Sequence, residues 1–214
     1  MFCYPLPNTD NNISVDTDTI VGIDMSHLVY RLPLSDLNRY KNHLLSLDEY
    51  SRYLRFGYHI KTEIVQDLIN NWSKDRDNHI IFAIENENLD LVGVGHIALS
   101  DGPAELAFSV LKEYQGRGMG NELMSRCIEW CQNRGIKTGC MVCLSSNATI
   151  KHLAKKHGIL IQDGPETLAE VHIPDPSITS VLHEVLENNL STLDHLGKAQ
   201  RKFARMAAFP LLFK

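Results

Sequence analysis

The sequence predicts a mixed α/β (α+β) domain, with a mostly antiparallel sheet flanked by helices and a C-terminal helical extension. Three observations support that expectation. Period-two runs cluster between residues 79 and 111, helical stripes stand on both sides of them, and helix and strand signals then alternate up to residue 173. At 214 residues, 43% hydrophobic and 22% charged, the chain has the size and composition of one ordinary globular domain plus an extension.

Residues 1–24, with Pro5, Pro7 and a run of Asn, Asp and Thr, read as a loosely held arm. Residues 27–34 read as a first strand, and Ser35 as the N-cap of a helix reaching Leu45. Over 59–72, Ile60, Ile64, Val65, Leu68, Ile69 and Trp72 trace a helical stripe. Then the period changes. Residues 79–84 and 89–99 read as strands joined by the polar turn 85–88. In the second, Val92, Val94, His96 and Ala98 share one face.

Asp101-Gly102-Pro103 turns the chain into a third strand, 104–111. Leu123, Met124, Cys127, Ile128 and Cys131 restore helical spacing over 118–134, and Gly135 ends it. A strand (137–145), a helix (147–157, closed by Gly158) and two strands (159–162, 167–173) complete a domain spanning 25–174. After Pro174 and Pro176 comes the extension, 175–214. There Ile178, Val181, Leu182, Val185, Leu186, Leu190 and Leu193 give three or four turns an apolar face that must be covered. Its own domain and a homodimer contact are the two ways to cover it.

The formal charge of −5 is unevenly spread. Lys198, Arg201, Lys202, Arg205 and Lys214 put +5 on the last 17 residues, which leaves −10 on the preceding 197. An acidic body argues against nucleic acid as a partner and fits a cationic amine better. The basic end, Lys198 to Arg205, reads as solvated, with an anionic partner or a membrane surface as the alternative. No segment approaches the roughly 18 to 20 consecutive apolar residues that span a bilayer, and residues 1–18 lack the pattern of a signal peptide. Five cysteines, four of them inside predicted elements, fit reduced thiols and a cytoplasmic location.

Cys140-x2-Cys143, with Cys127 and Cys131, raises the question of zinc. An offset of three on a strand points side chains to opposite faces, and Cys127 and Cys131 lie on the apolar stripe. They read as core thiols, and no metal is expected. His96 reads as a hydrogen-bonded core or edge histidine.

The most informative stretch is Gln115-Gly116-Arg117-Gly118-Met119-Gly120-Asn121, between a strand and a helix. Glycine permits positive φ and close backbone approach, and consecutive amides at a helix N-terminus bind a diphosphate with help from the dipole. Arg117 adds a mobile positive charge. A dinucleotide fingerprint would need glycine where Asn121 or Leu123 stands, and a P-loop would need Gly-Lys-Ser/Thr, which is absent.

What remains, Gln-x-x-Gly-x-Gly, resembles the acetyl-CoA motif of the GNAT superfamily of N-acetyltransferases. The preceding strand Ala104-Glu105-Leu106-Ala107-Phe108-Ser109-Val110, the downstream Asn147-x5-Leu153-x2-Lys156-x-Gly158, and the element order over about 27–173 agree with it. Ser51-Arg52-Tyr53-Leu54-Arg55-Phe56 resembles a segment of bacterial protein-lysine acetyltransferases in that superfamily.

The resemblance implies a GNAT-like fold, with acetyl-CoA as cosubstrate and a primary amine, small molecule or protein lysine, as acceptor in a ternary complex. It places Glu105 where many such enzymes carry a general base. Phe108, Ser109 and Val110 stand where backbone amides meet pantetheine and the thioester oxygen. Gln115 to Asn121 take the cofactor's phosphates, and Asn147 either bonds the pantetheine arm or caps its helix. There is one departure. Ala154 occupies the place where many relatives carry a tyrosine acid, so no general acid is assigned, and a non-catalytic acyl-CoA-binding module stands as the alternative.

Overall fold

Ile80, Ile81, Phe82, Ile84, Val92, Val94 and Ile97 line residues 79–98, and such branched and aromatic side chains pack well on a pleated surface covered on both faces. The computed structural model describes residues 19–20, 23–24, 27–144, 147–157, 160–162 and 166–208, and this segment lies at the heart of a seven-stranded sheet. Strands β1 (Thr19–Ile20) and β2 (Ile23–Asp24) form a separate two-stranded ribbon. The sheet comprises β3 (Tyr30–Arg31), β4 (His79–Glu85), β5 (Leu91–Ala98), β6 (Ala104–Val110), β7 (Thr138–Leu144), β8 (Leu160–Gln162) and β9 (Glu166–His172). Its spatial order is β3-β4-β5-β6-β7-β9-β8, and only β6 and β7 run parallel. The helices are α1 (Leu37–Ser46), α2 (Glu49–Phe56), α3 (Thr62–Lys74), α4 (Met119–Asn133), α5 (Ala148–Lys156) and α6 (Ile178–Ala208). The predicted mixed, mostly antiparallel sheet with flanking helices is what forms.

Two local expectations need correction, and one helix was not foreseen. The first strand contracts to Tyr30–Arg31, although Leu32 still donates its amide to Ile81 O at 2.8 Å. Ser35 is not an N-cap. The extended Pro33 opens a 3-10 turn over Leu34–Asp36, Ser35 Oγ bonds Asp36, and α1 begins at Leu37. A separate helix, α2, occupies 49–56. Asp48 caps it through Ser51 N–H (3.1 Å), and Gly57 closes it at φ 78°. The arm over residues 1–18 lies outside the described residues.

α4 covers one face of β5 and β6, and it approaches closely because β5 carries glycine there. A Cβ on Gly95 would stand 2.9 Å from Cys127 Sγ and 3.3 Å from the Phe108 ring. α1 and α3 cover the other face. There buried His96 places Nε2 3.1 Å from His79 Nδ1, and its ring lies 4.6 Å from that of Trp72, as expected of a core histidine. His43 pins α1 to two strands. Its Nδ1–H donates to Leu91 O at 2.8 Å, since a carbonyl can only accept. Nε2 therefore accepts from Ser109 Oγ at 2.9 Å. Burial pushes the His43 pKa down to about 4.

α6 runs for about 46 Å at the helical rise of 1.5 Å per residue. It docks on α4 and the β4–β5 turn through charge. Arg134 Nη1 meets Glu184 Oε1 at 3.0 Å, and His183 Nδ1 meets Glu129 Oε1 at 2.7 Å. Buried Arg126 joins Glu129 at 2.9 Å and stands 3.1 Å from Glu187, whose pKa burial pushes up to about 7. Glu129, His183 and Glu187 bring ligand-type atoms within 4.8 Å of one another, but Arg126 already supplies the neutralising charge.

Further along, His195 bonds buried Glu85 at 2.8 Å and Lys198 bonds Glu85 O at 3.1 Å. Arg201 forks onto Glu87 at 2.9 and 3.0 Å, Lys202 bonds Asn88 O at 2.7 Å, and Arg205 bonds Glu87 O at 2.8 Å. The basic end is thus not merely solvated. The carbonyls and carboxylates of the 85–89 turn hold it. Nor does the apolar face of α6 pack on its own domain; it faces outward.

Two tests follow from this packing. Gly95→Ala should destabilise the fold by about 1–3 kcal/mol, read as a lower urea midpoint with unchanged m-value, because Cys127 and Phe108 leave no room. His43 stays neutral when folded, whereas the unfolded chain takes its proton near pH 6.5. Stability is therefore full above pH 6.5 and declines as pH falls towards about 4, with His79 and His96 shifted the same way. Urea titrations across that window should show the decline, and His43→Gln should reduce its slope by up to about 1.4 kcal/mol per pH unit.

Candidate active site

β6 and β7 are bonded only at Ala104–Gly139 and Glu105–Cys140, after which they diverge. Beyond that point β6 pairs with β5 as far as Val110, and β7 pairs with β9 as far as Leu144. A wedge opens between them. Leu111 N–H bonds Val92 O at 2.9 Å, which fixes the alternation along β6. Phe108 and Val110 therefore turn their amides to the open edge. Ser109, proposed with them, turns its amide to β5 and its hydroxyl to His43, so it positions the strand and offers the wedge no donor.

The glycine-rich turn lies at the mouth of this wedge. Gly116 and Gly118 have φ of 75° and 87°, and a Cβ built on either meets nothing within 4 Å. Backbone conformation is the reason for glycine there, and the space in front is open. Gly118 is the N-cap of α4, and among the described residues no side chain caps the helix. The Asn121 and Glu122 amides bond Gly118 O at 2.8 and 3.2 Å, while those of Met119 and Gly120 precede them in the first turn, ahead of the helix's own hydrogen bonds. The residues present fit a diphosphate.

Side chains around the turn brace it. Gln115 Nε2 bonds Val110 O at 3.0 Å and Ser51 Oγ at 3.4 Å, tying the turn to β6 and α2. Arg117 is exposed, bonds Glu113 O at 2.8 Å and lies 5.2 Å from the Tyr114 ring centroid. Met119 buries its side chain in the core. Asn121 Oδ1 accepts from His157 at 3.1 Å, joining α4 to the end of α5. Asn147 caps α5 by accepting from Ile150 N–H at 3.1 Å. Ala154, on α5, is buried and brings no hydroxyl.

Glu105 is exposed on the sheet face opposite α4. The register sets His79, Ala98, Glu105, Cys140 and Glu170 in one row across five strands. Two carboxylates therefore flank Cys140, whose thiol is pushed up by burial and then by Glu105 and Glu170. Burial also lowers the pKa of His79, against the pull of Asp75 and Glu105. Sequence reasoning missed Glu170, His79 and the His43–Ser109 pair. Only strand register brings the first two beside Glu105, and nothing in the local pattern of residue 43 marks it.

A family model described as the acetyltransferase (GNAT) family matches residues 46–159. No curated protein sequence matches the chain. Solved structures share its fold. The GNAT domain of S. lividans PAT is 18% identical with a TM-score of 0.56, covering 67% of this chain and 89% of its own. The spermidine N-acetyltransferase of Vibrio cholerae, in complex with CoA and spermine, is 16% identical with a TM-score of 0.56, covering 70% and 96%. PaiA N-acetyltransferase of Thermoplasma acidophilum, in complex with coenzyme A, is 16% identical with a TM-score of 0.53, covering 69% and 99%. Matched over more than half its length and carrying the wedge and glycine turn just described, the chain belongs to the GNAT family of acetyltransferases.

Proposed function

We propose that this protein moves an acetyl group from acetyl-CoA to a primary amine, by direct attack while both are bound. The observation that carries this reading is the β6–β7 wedge, which has an uncapped, glycine-opened helix start at its mouth and Glu105 at its closed end. Family membership supports the reading, as does the coenzyme A bound in the T. acidophilum and V. cholerae relatives.

Acetyl-CoA brings the activated acyl group, and the chain does the rest. Amides over 116–120, aligned with the α4 dipole, receive the diphosphate, and Arg117 adds charge. The Phe108 and Val110 amides bond the pantetheine arm and the thioester oxygen in a cleft sheltered from water. A lysine-like amine with pKa of about 10.4 needs roughly 4.6 kcal/mol to reach its neutral form at pH 7. Glu105 draws that proton away, directly or through water.

Glu170, two strands from Glu105 in the same row, makes the acceptor face doubly acidic and suits a cationic amine. The spermine in the V. cholerae relative is such a cation. A lysine side chain meets the same chemistry, and the resemblance of Ser51 to Phe56 to protein-lysine acetyltransferases favours it. Ala154 favours a second reading, a non-catalytic acyl-CoA-binding module, because it provides no acid for the leaving thiolate.

Gly118→Asp should weaken coenzyme A binding at least about tenfold by calorimetry, since it sets an anion and a strained L-residue where the diphosphate rests. Binding as tight as wild type rules the cradle out. Glu105→Gln should lower kcat/KM for an amine by about 10²–10⁴ with coenzyme A affinity unchanged. The module reading instead expects binding without turnover and indifference to that change.

A further inference from the structure

Helix α6 is amphipathic in the reverse of the usual sense. Of the twelve large hydrophobic side chains that stand exposed among the described residues, nine belong to it. Its polar stripe faces the body. All nine of its charged or titratable side chains are engaged in the contacts described above or, for Asp194, with Lys198 one turn on at 2.5 Å. The outward stripe therefore carries no charge. A patch of this size facing water marks an interface.

The spacing identifies the kind of interface. Ile178, Leu182, Val185, Asn189, Thr192, Leu196, Ala199, Phe203 and Met206 follow one another at intervals of four and three without a break, four heptads of alternating d and a positions. Ile178 is 82% exposed, Phe203 74% and Met206 66%. A seam of period 3.5 suits a second helix wound along it. On one flank Leu186, Leu193, Gln200 and Ala207 are uncharged; on the other stand Val181, Asn188, His195 and Lys202, and there Asn188, His195 and Lys202 are bonded to Arg126, Glu85 and the Asn88 carbonyl of their own body.

Two polar residues stand in the seam: Thr192, at a d position, bonds Asn188 O of its own helix, and Asn189 stands at an a position among Leu182, Leu196 and Phe203. A lone asparagine there sets register and two-strandedness, because two copies satisfy one another only when they face each other across a parallel two-fold axis. Other occupants fit less well. An anionic membrane surface calls for free basic residues beside the apolar stripe. Here Lys198, Arg201, Lys202 and Arg205 are held by the 85–89 turn and Asp194.

We propose that the outward face of α6 is the seam of a parallel homodimer, in which two copies of this chain pair through residues 178–206 with Asn189 meeting its counterpart. The surface is isologous, and its role is independent of the acetyl-transfer reading.

Sedimentation velocity on the full chain at tens of micromolar should show a dimer. Leu182→Glu with Leu196→Glu should give a monomer that keeps its circular dichroism and its coenzyme A affinity, since both residues are exposed. Asn189→Cys should cross-link to itself under mild oxidant, while the unmodified chain, treated alike, should not. A wild-type monomer overturns the proposal, and so does a dimer that survives both glutamates. An Asn189→Cys variant that dimerises but does not cross-link overturns the parallel register. Binding of a monomeric wild type to phosphatidylserine vesicles would assign the face to membrane instead.

Discussion

The divergence of β6 from β7 after two bonded residue pairs is the constraint on which the rest depends. Two neighbouring strands that part expose a row of backbone donors and acceptors inside the body of the protein, and such groups are costly unless something bonds them. The fold answers this partly with its own side chains. Gln115 takes the Val110 carbonyl, and Ser109 turns inward to His43. The Phe108 and Val110 amides are left to a ligand. An extended molecule with acceptors along its length suits such an edge, and on the proposed reading that molecule is the pantetheine arm.

The elements around the wedge work to keep it open. α4 presses close against β5 through Gly95, and the neutral His43 clamps α1 to β5 and β6. α5 is tied to the start of α4 through His157 and Asn121, and its own start is capped by Asn147. Asn147 and Asn121, which the resemblance associates with the cofactor, thus hold the helices that border it. Each bond is ordinary in strength. Their arrangement matters because it leaves the first turn of α4 without a side-chain cap.

Much of this was legible in the chain itself. The run from Gln115 to Gly120 announced an anion site because alternating glycines before a helix have few other uses, and period-two runs marked β4, β5 and β6 to within two residues at either end. α2 was missed because Ser51, Arg52 and Arg55 break any apolar stripe, although Asp48 and Gly57 stood as its cap and stop. Ser35 misled because Pro33 preceded it with a competing turn. The acidic row could not be read at all. Glu105 and Glu170 lie 65 positions apart, and only the register through Cys140 aligns them. The inward charges of α6 were equally hidden, since their partners Arg126, Arg134 and Glu85 come from other elements.

Gln115 has a wider consequence. By occupying the carbonyl of Val110 it removes an acceptor from the mouth of the wedge, so that end offers N–H groups and the Arg117 charge, while the closed end offers Glu105 with Glu170 nearby. The cleft is thereby polarised along its length, positive towards its mouth and negative towards its closed end. On the proposed reading, a polyanionic donor is drawn to the end that carries Arg117 and a cationic acceptor to the end that carries Glu105 and Glu170. The two substrates of the proposed reaction are thus sorted by charge before any contact specific to either is made.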